Sequence, residues 1–280
     1  MKQKGFTILI PTWNNLGFLQ LCIKSILEHS VLDHEILILI NDGSDGSKEW
    51  VEKQAGLKHI HFNGNVGICV AMNKGALQAQ NEYLLYLNDD MYVLPGWDTA
   101  LLEEINAIGH NNFFVSSTMI EPTDTGNKCV IVKDYGSDLN NFNKENLLKE
   151  YQSLEKENWN GSTWPPNLIH KELYLKVGGL GEEYSPGMYS DPDLSIKLWQ
   201  EGIRYFKGVS KSRVYHFGTK STGRIKHNDG KKLFLKKWGI TPGDFAKYYL
   251  QRGMKWTGPL PEANKKAILK LKGFIKKIGN

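Results

Sequence analysis

The sequence lacks the features that mark a membrane-spanning, secreted or disulfide-bonded protein. No apolar run approaches the length of a membrane span, and the N-terminus has no apolar signal-peptide core. Its three cysteines, Cys22, Cys69 and Cys129, are far apart and odd in number, which indicates free thiols in a reducing compartment. Internal repeats and low-complexity tracts are also absent. We therefore expect a cytoplasmic globular protein.

The composition is that of an ordinary globular enzyme, but the charge is unevenly distributed. The net charge is +5, and residues 265–278 alternate lysines with apolar residues at nearly helical spacing. Such a basic amphipathic segment either lies on anionic lipid, giving peripheral contact with the cytosolic membrane face, or packs on the domain with its lysines in water. Its only aromatic residue is Phe274, so we expect no nucleic-acid partner.

Apolar runs alternate with helical patterns over the first ninety residues. Each run is followed by polar residues, and a helical pattern stands between most of them. This alternation predicts an α/β fold with a mostly parallel sheet, in which ligands bind at the carboxyl ends of the strands. The predicted strands are residues 6–10, 35–40, 59–62 and 83–87, and polar ends follow the first, second and fourth of them at 11–14, 41–47 and 88–90.

Asn88, Asp89 and Asp90 directly follow the strand at 83–87. Two adjacent carboxylates repel each other unless a cation offsets their charge. A divalent metal that also binds a diphosphate is a suitable partner, because such ions are commonly held by one or two carboxylates plus substrate phosphates. The alternative is a polar turn at the end of the strand.

The ordered set of motifs resembles family 2 glycosyltransferases, which are inverting enzymes of the GT-A fold that use nucleotide sugars. The resemblance covers about residues 5–220 and rests on Pro-Thr-Trp-Asn at 11–14, Asn-Asp-Gly-Ser at 41–44, Asn-Val-Gly at 65–67 with Ala-Met-Asn-Lys-Gly at 71–75, Asn-Asp-Asp at 88–90, Gly-Gly-Leu-Gly-Glu-Glu at 178–183, Tyr-Ser-Asp-Pro-Asp-Leu at 189–194 and Tyr-His-Phe-Gly at 215–218.

The resemblance, together with the chain pattern, suggests a division of the chain. A GT-A domain is expected at 1–224, with an insertion beside the active site at 121–165. A helical C-terminal extension carrying the basic tail is expected at 225–280. Within these regions we predict helices at 144–156, 231–238 and 241–251.

The resemblance also implies a nucleotide-sugar site, with a UDP-type donor favoured. Asp42 would accept a hydrogen bond from the nucleotide base, although Asn-Asp-Gly-Ser is also a strong turn sequence. Asp90 and His216 would bind the metal, and an imidazole ligand favours Mn²⁺ over Mg²⁺. The full set of expected donor-binding residues is Pro11, Thr12, Asn14, Asp42, Asn65, Gly67, Asn73, Asn88 and Asp89.

By the same resemblance, Asp191 is the expected catalytic base, because it lies in an acidic pair before a helix. It would deprotonate the acceptor hydroxyl, and the acceptor would be a glycan, a lipid-linked sugar or a protein. The alternative role of Asp191 is to cap the helix. Trp164, Tyr189 and Asp193 are the expected acceptor-side residues.

Two other functions remain open from the sequence. A nucleotidyltransferase that makes sugar nucleotides would have a similar fold, but it would carry a Gly-rich basic loop where this chain has residues 11–14. A donor-binding scaffold without activity is the second alternative. It is kept open by departures from the family pattern, which are Asn41, Met72, Asn88 and Ser190.

Overall fold

The computed structural model describes residues 3–219, 229–263 and 272–273. In chain order the elements of the first half are β1 (Lys4–Trp13), α1 (Leu16–His29), β2 (Asp33–Asn41), α2 (Ser47–Glu52), β3 (Lys58–Phe62), α3 (Ile68–Gln78), β4 (Tyr83–Tyr86), β5 (Met91–Val93), α4 (Trp97–Ile108) and β6 (Phe113–Glu121). The remaining elements are β7 (Ile131–Val132), α5 (Lys144–Glu150), β8 (Trp159–Asn160), β9 (Asn167–His170), α6 (Lys171–Lys176), α7 (Ser190–Gln200), β10 (Tyr205–His216), α8 (Gly230–Trp238) and α9 (Pro242–Tyr248).

The strands form one sheet in the order β3-β2-β1-β4-β9-β6-β10-β5, with β7 beside β6 and β8 beside β10. The half from β3 to β4 is parallel, as the alternation of strands and helices predicts. The other half is mixed, because β9 runs antiparallel between β4 and β6, and β5 runs antiparallel to β10. The α/β prediction is therefore confirmed, but the sheet as a whole is mixed.

Helices cover both faces of the sheet. Alternate side chains of β1 point to opposite faces, so Ile8 and Ile10 pack with α1 and α4, while Leu9 packs with α3 and α7. The second of these cores also contains Phe234 of α8 and Phe245 of α9. The described part of the C-terminal extension thus packs on the same core as the first half of the chain, and the boundary at 224 stays a prediction.

Several predicted helix boundaries differ from the structure. The helix expected at 144–156 ends at Glu150 and continues as a single 3₁₀ turn, Tyr151–Ser153. The helix expected at 241–251 ends at Tyr248, and it cannot include Gln251, whose positive φ of 48° an α-helix does not allow. Except for 272–273, the basic segment 265–278 lies outside the described residues, so its two interpretations remain predictions.

The three cysteines are buried and free, in agreement with the sequence analysis. In the described ranges, no helix is both long and apolar enough to cross a membrane.

Candidate active site

Two adjoining cavities open at the edge of the sheet where β1, β2 and β4 end. The smaller cavity has a volume of about 420 Å³ and the larger about 930 Å³. Because β1 runs parallel to both β2 and β4, the polar residues that follow these strands meet at this edge. The two cavities share part of their lining, which consists of Tyr86, Asn88, Asp191, His216 and Gly218.

Pro11, Thr12 and Asn65 line the smaller cavity together with Asn41. Asn41 accepts a hydrogen bond from the Val66 backbone N–H at 3.1 Å, so it ties the end of β2 to the loop before α3. The Thr12 hydroxyl is buried and has no hydrogen-bond partner within the described part of the chain. A buried polar group of this kind normally has a partner, and a ligand in the cavity could supply one.

Asn14 and Asp42 stand next to the smaller cavity but do not line it. The Asn14 amide donates to Asp42 Oδ2 at 2.9 Å and accepts from the Gly43 N–H at 3.0 Å. Asp42 has a positive φ of 67°, which fits the turn that Asn-Asp-Gly-Ser predicts. These contacts give both residues a structural role, and their contact with a nucleotide stays a prediction.

Gly67 and Asn73 make close contacts that differ from those expected. Gly67 has a φ of 81°, and a Cβ there would lie 3.1 Å from Pro186 Cα, so its close approach is to the 185–187 loop. The Asn73 side chain donates to the Leu180 carbonyl and accepts from the Leu180 N–H, both at 2.9 Å. Asn73 lines neither cavity, so the structure does not bring it to the other expected donor residues, and its contact with a donor stays a prediction.

The three residues at 88–90 make different contacts. Asn88 lines both cavities. Asp89 Oδ1 accepts a hydrogen bond from the Asn15 amide at 3.1 Å. Asp90 is only 5% exposed, and its Oδ2 accepts from both the backbone N–H and the hydroxyl of Thr219 at 2.8 Å.

Asp90 and His216 are neighbours because of how the strands pair. His216, at the end of β10, pairs with Met91 of the antiparallel β5, and this pairing brings the imidazole to Asp90. His216 Nε2 lies 3.5 Å from Asp90 Oδ1, and its Nδ1 lies 2.8 Å from Glu121 Oε1. Burial lowers the pKa of His216, but Asp90 and Glu121 outweigh burial and raise that pKa to about 10. Burial alone would raise the pKa of Asp90, but its hydrogen bonds from His216 and Thr219 hold the pKa below its ordinary value.

Asp90 and His216 fit as two ligands of a metal ion whose remaining ligands would come from the substrate. Across residues 3–219, 229–263 and 272–273, no three His, Cys, Asp or Glu side chains form a cluster able to hold an ion. Asp90 and His216 offer one oxygen and one nitrogen ligand at adjoining positions. An ion bound there would need further ligands, which the phosphates of a nucleotide donor provide.

Asp191 lies in the first turn of α7, on the wall that the two cavities share. In the described residues its carboxylate has neither a hydrogen bond nor an ion pair, and burial raises its pKa to about 7. A carboxylate with a pKa near neutrality and no partner is suited to accept a proton. The capping alternative is wrong, because α7 begins at Ser190 and Tyr189 occupies the capping position.

Of the three expected acceptor-side residues, only Trp164 lines the larger cavity. Asp193 is fully buried and lies 2.8 Å from Lys237 Nζ, 2.8 Å from Trp238 Nε1 and 3.1 Å from Lys197 Nζ. It therefore joins α7 to α8 and lines neither cavity. Tyr189 packs partly buried against the core and also lines neither cavity. The structure does not bring these two residues to the larger cavity, and their contact with an acceptor stays a prediction.

Four residues that the sequence analysis did not single out belong to the site. Tyr86 lies in the shared wall, Glu121 binds His216, and Thr219 binds Asp90. Arg252 comes from the C-terminal extension and lines the larger cavity. Thr219 and Tyr86 lay near recognised motifs, Thr219 directly after Tyr-His-Phe-Gly and Tyr86 in the strand that precedes Asn-Asp-Asp. Glu121 and Arg252 are brought in by strand pairing and by packing of the extension.

Comparison with known protein families agrees with this geometry. The family described as Glycosyl transferase family 2 matches residues 7–161, which is more than half of the chain. The chain belongs to this family. Membership confirms the predicted family, and the match ends before Asp191, His216 and Arg252.

Two curated relatives of the family 2 chain are named by their activities. A cholesterol galactosyltransferase of Borreliella burgdorferi is 36% identical over 180 residues, covering 61% of this chain and 49% of that protein. A GalNAc(5)-diNAcBac-PP-undecaprenol beta-1,3-glucosyltransferase of Campylobacter jejuni is 27% identical over 156 residues, covering 54% of this chain and 46% of that protein. The chain thus spans about half the length of these relatives.

Solved structures show the same fold. GalNAc-T7 with UDP, GalNAc and Mn²⁺ has a TM-score of 0.57 at 17% identity, covering 81% of this chain and 44% of that one. S. aureus TarS 1-349 in complex with UDP-GlcNAc has a TM-score of 0.57 at 13% identity, covering 98% and 71%. These likenesses confirm the GT-A fold of the family 2 chain.

Proposed function

We propose that this family 2 chain transfers a sugar from a nucleoside diphosphate donor, of the UDP type, to an acceptor hydroxyl with inversion. The observation that carries the proposal is the position of Asp191. Its carboxylate, which has no partner among the described residues, lies on the wall shared by a cavity of about 420 Å³ and one of about 930 Å³. A donor in one cavity and an acceptor in the other would meet at this wall.

The smaller cavity suits the donor. Pro11, Thr12 and Asn65 line it, and so does Asp90, which follows β4. The buried Thr12 hydroxyl gains a partner if a nucleotide enters. A UDP-type donor is supported by the structures of like fold, because GalNAc-T7 holds UDP and TarS 1-349 holds UDP-GlcNAc.

Asp90 and His216 would hold a divalent ion beside the donor diphosphate. Such an ion supplies positive charge that stabilises the leaving diphosphate. Mn²⁺ is favoured because it tolerates an imidazole ligand, and the GalNAc-T7 structure of like fold contains Mn²⁺. Thr219 and Glu121 would orient the two ligands through their hydrogen bonds.

Asp191 would act as the base in a single displacement. The acceptor oxygen forms a bond to the anomeric carbon, the bond from that carbon to the diphosphate breaks, and the hydroxyl proton moves to the Asp191 carboxylate. Attack from the side opposite the leaving diphosphate inverts the anomeric configuration. A pKa of about 7 leaves enough carboxylate to accept the proton near neutral pH.

The alternatives have weaker support. After β1 the chain has no Gly-rich basic loop, and Asn15 there binds Asp89 instead of presenting a phosphate site. A scaffold without chemistry gives no reason for Asp191 to lie on the shared wall with no partner among the described residues. Acceptor class, cytoplasmic location and membrane contact stay predictions.

A donor screen tests the proposal. Thermal unfolding should be measured with UDP-, GDP-, TDP- and CMP-sugars, with and without Mn²⁺, because a ligand that binds the folded state raises its stability. We expect a UDP-sugar to raise the melting temperature only when Mn²⁺ is present. Asp90→Asn should abolish this shift, while Asp33→Asn, an exposed carboxylate at the amino end of β2, should keep it. The absence of a shift with every donor would contradict the proposal.

A further inference from the structure

The larger cavity contains a cation that the proposed transfer chemistry does not use. Arg252 follows α9 in the C-terminal extension, yet it lines this cavity together with Trp164. Its guanidinium carbon lies 4.1 Å from the centre of the Trp164 ring. At that distance the planar guanidinium stacks on the indole, which fixes where the charge sits.

Backbone hydrogen bonds at Arg252 and Gly253 hold Arg252 at the larger cavity. Its N–H donates to the Ala246 carbonyl at 3.0 Å, and the next N–H, that of Gly253, donates to the Asn160 carbonyl at 2.9 Å. The first bond closes the turn after α9, and the second attaches the extension to β8. The turn depends on a positive φ at both Gln251 and Gly253.

Close packing also requires glycine at two positions. At Gly161, where φ is 90°, an added Cβ would lie 2.7 Å from Arg252 Cα. At Gly253, where φ is 80°, an added Cβ would lie 2.5 Å from Lys128 Cβ. The extension can therefore approach the wall of the cavity only because these side chains are absent.

Among the described residues, none neutralises the charge of Arg252. Over the ranges that the structure describes, its guanidinium has no carboxylate within ion-pairing distance, and burial lowers its pKa. Lys128 lines the same cavity, whereas Glu121 is held by His216. A half-buried guanidinium without a counter-ion costs free energy that an incoming anion would recover.

We infer that Arg252, positioned by Trp164, binds an anionic group of the acceptor saccharide. That group is an oxyanion, either a phosphate or a carboxylate. The inference rests on the proposed function, because it takes the larger cavity to be the acceptor site. Asp191 lies on the same cavity wall, so the anionic group would be bound while the attacked hydroxyl lies near the base. The guanidinium can donate two parallel hydrogen bonds, one to each of two oxygens of a phosphate or a carboxylate.

A panel of acceptors tests this assignment. It consists of neutral methyl hexosides, the matching uronates and the matching hexose phosphates, each assayed by release of nucleoside diphosphate. We expect higher kcat/KM for an anionic series than for the neutral one. The uronates and the hexose phosphates then distinguish which oxyanion is preferred.

Variants of Arg252 assign the effect to this residue. Arg252→Gln should lower kcat/KM for the anionic acceptors by about 10–100-fold, the range for losing a hydrogen bond to a charged group. Neutral acceptors should be affected much less. Arg252→Lys should recover part of the loss, because lysine keeps the charge without the fork. Lys255→Gln removes an exposed charge from the same loop, paired with Glu157, and should match the wild type.

Three outcomes would overturn the inference. They are an equal loss of kcat/KM for neutral and anionic acceptors, no loss for either, or a loss that appears in the donor KM. Melting temperatures of the variants exclude misfolding as the cause. If no donor is turned over, the proposed function fails instead. Ligand-observed NMR with the hexose phosphates then decides the inference alone, with wild type expected to bind and Arg252→Gln expected not to bind.

Discussion

Replacing Asp191 with asparagine should reduce activity and raise stability at the same time. The half-buried carboxylate has no partner in the part of the chain that the structure describes, and burial raises its pKa from an ordinary value of 3.8 to about 7. A base positioned for proton removal contributes about 10²–10⁴-fold to the rate, so Asp191→Asn should slow transfer by that factor. Donor and metal binding should remain.

The gain in stability follows from the same burial. The rise from 3.8 to about 7 corresponds to about 4 kcal/mol, at about 1.4 kcal/mol per pKa unit. Asp191 borders two open cavities, so water screens part of this cost, and we expect a gain of about 1–3 kcal/mol. Between these two pKa values the folded protein keeps a proton that the unfolded chain has lost, so stability falls as pH rises through this window.

Urea unfolding of wild type and Asp191→Asn at pH 5, 6, 7 and 8 measures this effect. The variant should gain stability relative to wild type as pH rises to about 7, and the difference should then stay constant. Other titrating groups, including His216, are present in both proteins and cancel in the difference. An active Asp191→Asn, or one whose stability relative to wild type is independent of pH, would refute the reasoning about this residue.

Further predictions concern the metal, the acceptor and the tail. His216→Gln and Glu121→Gln should each raise the Mn²⁺ concentration for half-maximal activity. For Glu121→Gln the rise should be about tenfold or more, because the change removes the group that orients His216. An unchanged Mn²⁺ titration would mean that both residues have only a structural role. Asp90→Asn should abolish Mn²⁺-dependent donor binding measured by calorimetry. Trp164→Ala should raise the acceptor KM and leave the donor KM unchanged. Removing 265–278 should abolish co-sedimentation with anionic liposomes at low salt if the tail binds lipid.

The parallel half of the fold could be predicted from local patterns. β1, β2 and β4 each contain an apolar run followed by polar residues, and parallel pairing places those ends at one edge. This is why Thr12, Asn65 and Asn88 were correctly placed beside one cavity. The contact of Asn73 with Leu180 could not be predicted in this way, because a motif gives neighbours along the chain and Leu180 lies about a hundred residues later.

The rest of the site depends on contacts between distant segments. Glu121 reaches His216 because β6 and β10 are parallel neighbours in the sheet, and no local pattern predicts that pairing. Asp193 has the same spacing signal as Asp191 but faces α8, where Lys237 and Trp238 bind it. Arg252 enters the cavity only through the packing of the extension on β8.

The most direct test of the central claim is the release of nucleoside diphosphate from a UDP-sugar, followed with and without Mn²⁺ in wild type and Asp191→Asn. We expect the wild type to release nucleoside diphosphate only with Mn²⁺, and faster as the acceptor concentration rises. We also expect the variant to bind the same donor with Mn²⁺ and to release about 10²–10⁴-fold less diphosphate. Equal release in the presence of a chelator, or equal release by Asp191→Asn, would contradict the central claim.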